Sequence, residues 1–301
     1  MNTPGTRACA PGVSVVIPCY NEEHAIAQTF ADVERALNTC GLDYEIIAVN
    51  DGSKDGTGAK LDALAKADTR LRVIQSPFNR GYGASLKAGI AEARFDRIVI
   101  TDADGTYPND RIPDLLRELE NADMVVGARI GTNVNIPLAR RPVKWLLLQY
   151  ARWLCRADIK DVNSGLRAFW VRHVRSVWSM LPNGFSFTTT ITIASHINLL
   201  HVVYLPIDYY KRVGHSSIRP IRDTARFFFL VGRTIMFFKP LQVFGFLGVM
   251  LMLLAVAVGV AGKLLFDKIP DVAAVSLFTT GVNFLGLGLI GDLVNSHRFR
   301  S

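Results

Sequence analysis

The chain has 301 residues, half of them hydrophobic, with a formal net charge of +8 and a mean hydropathy of +0.22. That length holds one α/β domain of ordinary size plus a further segment, and the hydropathy is high for a soluble enzyme. The positive charge comes with no zinc spacing, RNA-binding aromatic motif or basic tail, which excludes the common nucleic-acid binders. The four cysteines, Cys9, Cys19, Cys40 and Cys155, are scattered without metal spacing and read as reduced thiols.

Residues 1–12 form a short polar tail without a signal-peptide pattern, so the N-terminal domain is expected to stay in the cytosol. Strands and helices then alternate. Strands are predicted at Val13–Pro18, Tyr44–Asn50, Leu71–Gln75, Arg97–Thr101 and Met124–Gly127. Helices are predicted at Glu22–Leu37, Gly58–Ala67, Ala84–Ala93 and Pro108–Glu120. This order predicts a mostly parallel sheet with helices on both faces, whose ligands bind at the carboxyl ends of the strands. Two acidic turns fall at such ends: Asn50-Asp51-Gly52-Ser53 and Asp102-Ala103-Asp104. Carboxylates at 102 and 104 project into one turn, where a divalent cation can bridge them to a diphosphate; Mg²⁺ and Mn²⁺ both prefer such hard oxygen ligands.

After residue 138 the character changes. Over 139–156, Trp145, Leu146, Leu147, Leu148, Tyr150 and Trp153 interleave with Arg140, Arg141, Lys144, Arg152 and Arg156, the pattern of an amphipathic helix at a membrane interface. A second such helix is predicted within 218–239, where Arg222, Arg226 and Arg233 share a face. Leu241–Gly262 and Val272–Gly291 then run 22 and 20 residues without a charge. Each is long enough to cross a hydrocarbon core of roughly 30 Å, so a two-helix membrane hairpin is predicted over 240–295. Arginines and lysines crowd before the first span and after the second, while the connecting loop balances two lysines with two aspartates. The positive-inside rule places both termini, including the tail 296–301, in the cytoplasm.

The turns carry a resemblance. Pro18-Cys19-Tyr20-Asn21-Glu22, the Asp51 turn, Asp102-Ala103-Asp104, Asp161-Val162-Asn163-Ser164-Gly165-Leu166-Arg167 and Arg212-Val213-Gly214-His215-Ser216, in this order and followed by two spans, resemble an inverting family 2 glycosyltransferase of the GT-A fold. More narrowly, the chain resembles the dolichol-phosphate mannose synthase branch and its bacterial polyprenyl-phosphate relatives. The resemblance implies a catalytic domain over 13–217. It implies transfer of one sugar from a UDP- or GDP-sugar to polyprenyl phosphate, with Mg²⁺ or Mn²⁺ as cofactor, at the bacterial inner membrane, and it allows a homo-oligomer. Pro18, Tyr20, Glu22, Asp51, Asp102 and Ala103 are implied to contact the nucleotide sugar, and Asp102 and Asp104 to hold the metal. Asn50 stands where an aspartate is common. Arg129, Arg140, Arg141, Arg212 and Ser216 are the implied lipid-phosphate ligands; Ser217 stands where many members carry Lys. Asp104, Arg129, Arg167 and Arg212 are implied in catalysis, Arg167 by organising the site.

A phosphate acceptor is already anionic and needs no general base, whereas a sugar hydroxyl does. No Thr-Glu-Asp or isolated Glu-Asp motif follows Asp104, and Asp161 is the one substitute. Two rival readings remain. Gln149-Tyr150-Ala151-Arg152-Trp153 matches a motif of processive polysaccharide synthases, and a membrane scaffold could bind nucleotide without turnover. Gly81-Tyr82-Gly83 imitates a dinucleotide fingerprint but follows the third strand and lacks the third glycine, and so predicts a tight turn with close backbone packing.

Overall fold

Val13, Val15 and Ile17 on one side of the first strand, and Ser14 and Val16 on the other, are all fully buried. Burial of both alternating sets is the mark of a strand covered on both faces. The computed structural model describes residues 12–133, 145, 148, 149, 151–153, 155–184, 186–212, 240–267 and 271–298. Its strands β1 (Gly12–Cys19), β2 (Asp43–Asp51), β3 (Leu71–Ser76), β4 (Arg97–Ile100), β5 (Met124–Ala128), β6 (Arg167–Trp170) and β7 (Val202–Pro206) form one sheet in the order β3-β2-β1-β4-β6-β5-β7. All pairings are parallel except those of β6, which runs antiparallel between β4 and β5. The mostly parallel α/β sheet expected from the sequence is therefore present.

Helices α1 (Ile26–Asn38) and α4 (Ile112–Leu119) share a core with Val13, Val15 and Ile17. On the opposite face, Gly89 of α3 (Tyr82–Ala91) lies directly against the side chains of Val16 and Val49. Helix α2 (Thr57–Ala67) buries Leu61. Each such aliphatic side chain, fully buried, contributes about 1.5–3 kcal/mol to folding. The helix predicted from Pro108 begins instead as a 3-10 turn, Asn109–Arg111, and turns α-helical at Ile112, with Pro113 in its first turn where no backbone donor is needed.

Beyond β5, helix α5 (Val171–Ser176) follows β6, and α6 (Phe187–Ile197) precedes β7. Nine consecutive residues of α6, Phe187–Ser195, are buried, so no polar face marks it as a helix. The described part of 145–155 is helical, with Trp145 and Trp153 exposed.

The chain divides into two compact units, Met1–Pro220 and Ile221–Ser301. Within the second, α7 (Pro240–Phe266) and α8 (Asp271–Arg298) pair antiparallel, with Gly248 against Gly281 and Phe244 near Phe284. Both are long and apolar enough to cross a membrane, and only 11% of each apolar window is buried. The helix pair therefore does not cover its own apolar surface. The second interfacial helix predicted within 218–239, the tail at 1–11 and the loop beyond Arg212 lie outside the described residues.

Candidate active site

Strands β1, β2 and β4 run parallel, so their carboxyl ends bring Tyr20, Asp51 and Asp102 to one edge of the sheet. At the β1–β3 end of that edge lies a cleft of about 560 Å³ lined by Tyr20, Asn50, Gly52, Ser53 and the β3 exit Gln75–Asn79. Its floor is hydrogen-bonded. Asn50 donates from Nδ2 to Gln75 Oε1 (2.7 Å) and accepts at Oδ1 from Ser53 N–H (3.2 Å). A carboxylate at position 50 would have no proton to give Gln75, which is a local use for the departure from aspartate.

Asp51, 3% exposed, does not line the cleft. Its Oδ1 accepts from Arg80 N–H (2.7 Å) and its Oδ2 from Gly81 N–H (2.9 Å). Both carboxylate oxygens thus strap the loop that walls the cleft. Gly81 has φ +100°, a conformation that glycine adopts without strain, and α3 starts at the next residue, two residues earlier than predicted. A Cβ on Gly81 would meet Asn183 O at 2.6 Å, which is the close backbone packing expected of this turn.

Asp102 and Asp104 follow β4. Tyr82 Oη donates to Asp102 Oδ1 (2.8 Å). Asp104 Oδ1 accepts from both the backbone N–H (3.1 Å) and the hydroxyl (2.6 Å) of Thr106. Each carboxylate is therefore held through Oδ1. Gly165 closes against the Asp102 carboxylate, where a Cβ would stand 2.7 Å from Oδ2. The Gly165 N–H is itself fixed by Tyr107 Oη at 2.6 Å. Burial first, then the charge of Asp104, raises the Asp102 carboxyl well above the ordinary carboxylate range.

Glu22, expected beside the nucleotide, joins this pair and does not line the cleft beside Tyr20. Arg212 donates from one terminal nitrogen to Glu22 Oε1, and its Nε lies 3.6 Å from Asp104 Oδ2. Among the described residues, that Nε is buried without a hydrogen-bond partner. Burial drives the Glu22 carboxyl up to about 7, against the lowering effect of Arg212 and with the charge of Asp104 adding to the rise. Arg212 thus sits between the carboxylates of Glu22 and Asp104, while the charges of Arg129 and Arg212 both act on Asp102 against the effect of burial.

The remaining expected residues are placed as follows, with Arg129 near enough for its charge to lower the Asp102 carboxyl. Pro18 is buried within β1, in register with Val49. Ala103 is 2% exposed in the core, and its carbonyl accepts from Thr29 Oγ1 (3.1 Å). Arg167 is completely buried, donating to Ser164 O, Val162 O and Thr192 Oγ1; it organises the loop before β6 from inside the fold. Arg129 forms a bidentate pair with the fully buried Asp161 (2.8 and 2.9 Å), donates to Asn163 and lies over Tyr209. Asp161 is accordingly engaged by a cation and not poised as a base. Arg152, in the polysaccharide-synthase-like motif, donates to Ile159 O and pairs with Asp158. Arg140, Arg141 and Ser216 lie outside the described residues. Sequence reasoning missed Tyr82, Thr106 and Tyr107; the single hint was an aromatic residue placed directly after the positive-φ glycine.

Comparisons with known proteins agree with this architecture. The model for glycosyl transferase family 2 matches residues 14–174. An undecaprenyl-phosphate 4-deoxy-4-formamido-L-arabinose transferase of Pseudomonas fluorescens is 31% identical, covering 93% of this chain and 84% of that protein. An undecaprenyl-phosphate mannosyltransferase of Micrococcus luteus is 28% identical over 68% of this chain and 87% of its own length. A dolichol-phosphate mannosyltransferase of Pyrococcus furiosus is 31% identical, covering 69% of this chain and 59% of that protein. Among solved structures, glucosyl-3-phosphoglycerate synthase from Mycobacterium tuberculosis, crystallised with Mn²⁺, uridine diphosphate and phosphoglyceric acid, superposes with a TM-score of 0.58. It is 21% identical and covers 75% of this chain and 78% of that one, a likeness of fold. With the GT-A sheet, the paired acidic turns and a family match over more than half its length, this chain belongs to glycosyl transferase family 2.

Proposed function

We propose that this protein transfers a single sugar, with inversion, from a nucleoside-diphosphate sugar to polyprenyl phosphate at a membrane surface. The observation that carries the reading is Arg212, a guanidinium set against Asp104 and Glu22 at the edge of the acidic turn. A cation at that point suits an anionic acceptor, since Arg binds phosphate through paired donors. The names of the relatives, which are transferases acting on undecaprenyl and dolichol phosphate, support the same class of acceptor.

The base cleft beside Tyr20 and Asn50 receives the nucleoside, UDP- or GDP-linked. Asp102 and Asp104 fit a divalent cation, Mg²⁺ or Mn²⁺: both are hard oxygen donors held at Oδ1. Such an ion, when bound, neutralises the charge that builds on the departing diphosphate. The acceptor phosphate oxygen attacks the anomeric carbon, and the bond to the diphosphate oxygen breaks with its electron pair leaving on that oxygen. Arg212 orients the incoming phosphate and offsets its repulsion from the donor. No proton needs removal from the acceptor, in keeping with the engagement of Asp161 by Arg129. Helices α7 and α8 anchor the protein in the bilayer beside its lipid substrate, with the catalytic unit cytosolic.

The test is a donor screen. Full-length protein in detergent or nanodiscs is incubated with undecaprenyl phosphate, Mn²⁺ or Mg²⁺ and a panel of UDP- and GDP-sugars, and the lipid product is identified by mass. A lipid carrying one sugar supports the reading, while polymer supports a polysaccharide synthase and no turnover with any donor a scaffold. Asp104→Ala is expected to abolish transfer while the protein stays folded and membrane-bound; near-normal activity in that variant would sink the metal assignment.

A further inference from the structure

We propose that Tyr82 is a positioning residue for the metal-binding aspartate, and that through it the wall of the nucleotide cleft fixes the geometry of the cation site. The inference rests on the metal reading given above. It starts from a five-residue segment with three separate attachments. Phe78 and Asn79 line the cleft. Arg80 and Gly81 are held by the two oxygens of Asp51. Tyr82, next in the chain, reaches across to Asp102 Oδ1 at 2.8 Å.

The segment has little freedom to slide. Gly81 sits at φ +100° with the backbone of Asn183 directly behind it. Ala84 N–H donates to Asn183 O (3.0 Å), which pins the first turn of α3 from outside. The phenol is therefore delivered by a fixed backbone, and its hydroxyl selects one rotation of the Asp102 carboxylate. Tyr82 occupies Oδ1, and the missing side chain at Gly165, whose Cβ would stand 2.7 Å from Oδ2, leaves that oxygen room for a cation. Partners of this kind, which hold a ligand and not the metal, typically account for about 10–100-fold in metal affinity.

Two binding measurements decide the matter, neither of which requires turnover. Mn²⁺ binding to full-length protein is followed by the loss of the free-ion electron paramagnetic resonance signal, with uridine diphosphate present. Uridine diphosphate binding without metal is followed by calorimetry. Tyr82→Phe removes the hydroxyl alone. It is expected to raise the Mn²⁺ dissociation constant about tenfold or more and to leave metal-free nucleotide binding within about twofold, because Asp51 still straps the cleft wall. An unchanged Mn²⁺ affinity overturns the proposal. A parallel loss of metal-free nucleotide binding also overturns it, since Tyr82 would then support the loop as a whole. Wild-type protein that binds nucleotide but no Mn²⁺ removes the metal reading itself and this proposal with it, an outcome distinct from both.

Discussion

Gly165→Ala tests the acidic turn by a single methyl group. The new Cβ would lie 2.7, 2.8 and 2.9 Å from Oδ2, Oδ1 and Cγ of Asp102, where 3.4 Å begins ordinary contact. Either the carboxylate or the backbone at 165 must move by about 0.5–0.7 Å to restore normal packing distances. The backbone is the stiffer side: Gly165 N–H is bonded to Tyr107 Oη, and Ser164 Oγ to Gly127 O at 2.5 Å. Asp102 therefore yields and strains its bond to Tyr82. A misplacement of about 1 Å costs roughly 10²-fold in rate, so a loss of about 10- to 100-fold in kcat is expected, equivalent to about 1.4–2.8 kcal/mol of transition-state stabilisation. Overpacking adds about 1–3 kcal/mol of destabilisation. Initial rates at saturating donor and lipid phosphate, a Mn²⁺ titration and a thermal melt measure all three. A variant with kcat within twofold of wild type and an unaltered Mn²⁺ dependence would refute the claim that Gly165 shapes this carboxylate.

Arg212→Ala should chiefly raise the KM for lipid phosphate, by about tenfold or more given that hydrogen bonds to charged groups contribute roughly 1.5–3 kcal/mol; an effect confined to the donor KM would count against an acceptor role. The metal-free protein should respond to pH through Glu22. Its folded pKa of about 7 lies above the ordinary 4.5, so the folded state holds the proton more tightly, and the stability this confers is fully present below 4.5 and lost as pH rises through 7. The melting temperature should therefore climb as pH is lowered from 8 towards 5, and Glu22→Gln should flatten part of that slope. Identical profiles for the two proteins would show that Glu22 is not the group responsible.

The first half of the domain was legible because its signals are local. Buried β-branched runs at Val13–Pro18 and Arg97–Thr101, turn residues at Asp51-Gly52 and helical spacing in α1 each announce one element without reference to another. Beyond β5 that ceases for the sheet's last strands and the helices between them. Strand β6 is four residues long and α6 is buried over most of its length, so neither carries a polar face from which a period can be read. The site divides the same way. Asp102 and Asp104 were visible as two acids in one turn, but the partners that aim them come from distant segments: Tyr82 from α3, Gly165 from the loop before β6, and Arg212 from beyond β7. Glu22 was expected beside the nucleotide, and it meets Arg212, 190 positions away in the chain, a pairing that only the folded topology creates. Arg129 bears a charge suited to phosphate, yet Asp161 meets it inside the protein.

The reversed strand has an engineering corollary. Because β6 runs against its neighbours, its first residue, Arg167, is in register with Ile100 near the end of β4 and with Val126 near the end of β5. The chain thus leaves the sheet after residue 128 and re-enters it at 167 along the same rim. The neck of this excursion is sewn shut by Gly127 N–H to Leu166 O (3.0 Å) and by the Arg129–Asp161 pair. An interval with adjacent, clamped ends can be lengthened, shortened or transplanted between paralogues while strands β1 to β5 keep their pairing. Chimeras exchanged at 130 and 160 would keep both stitches.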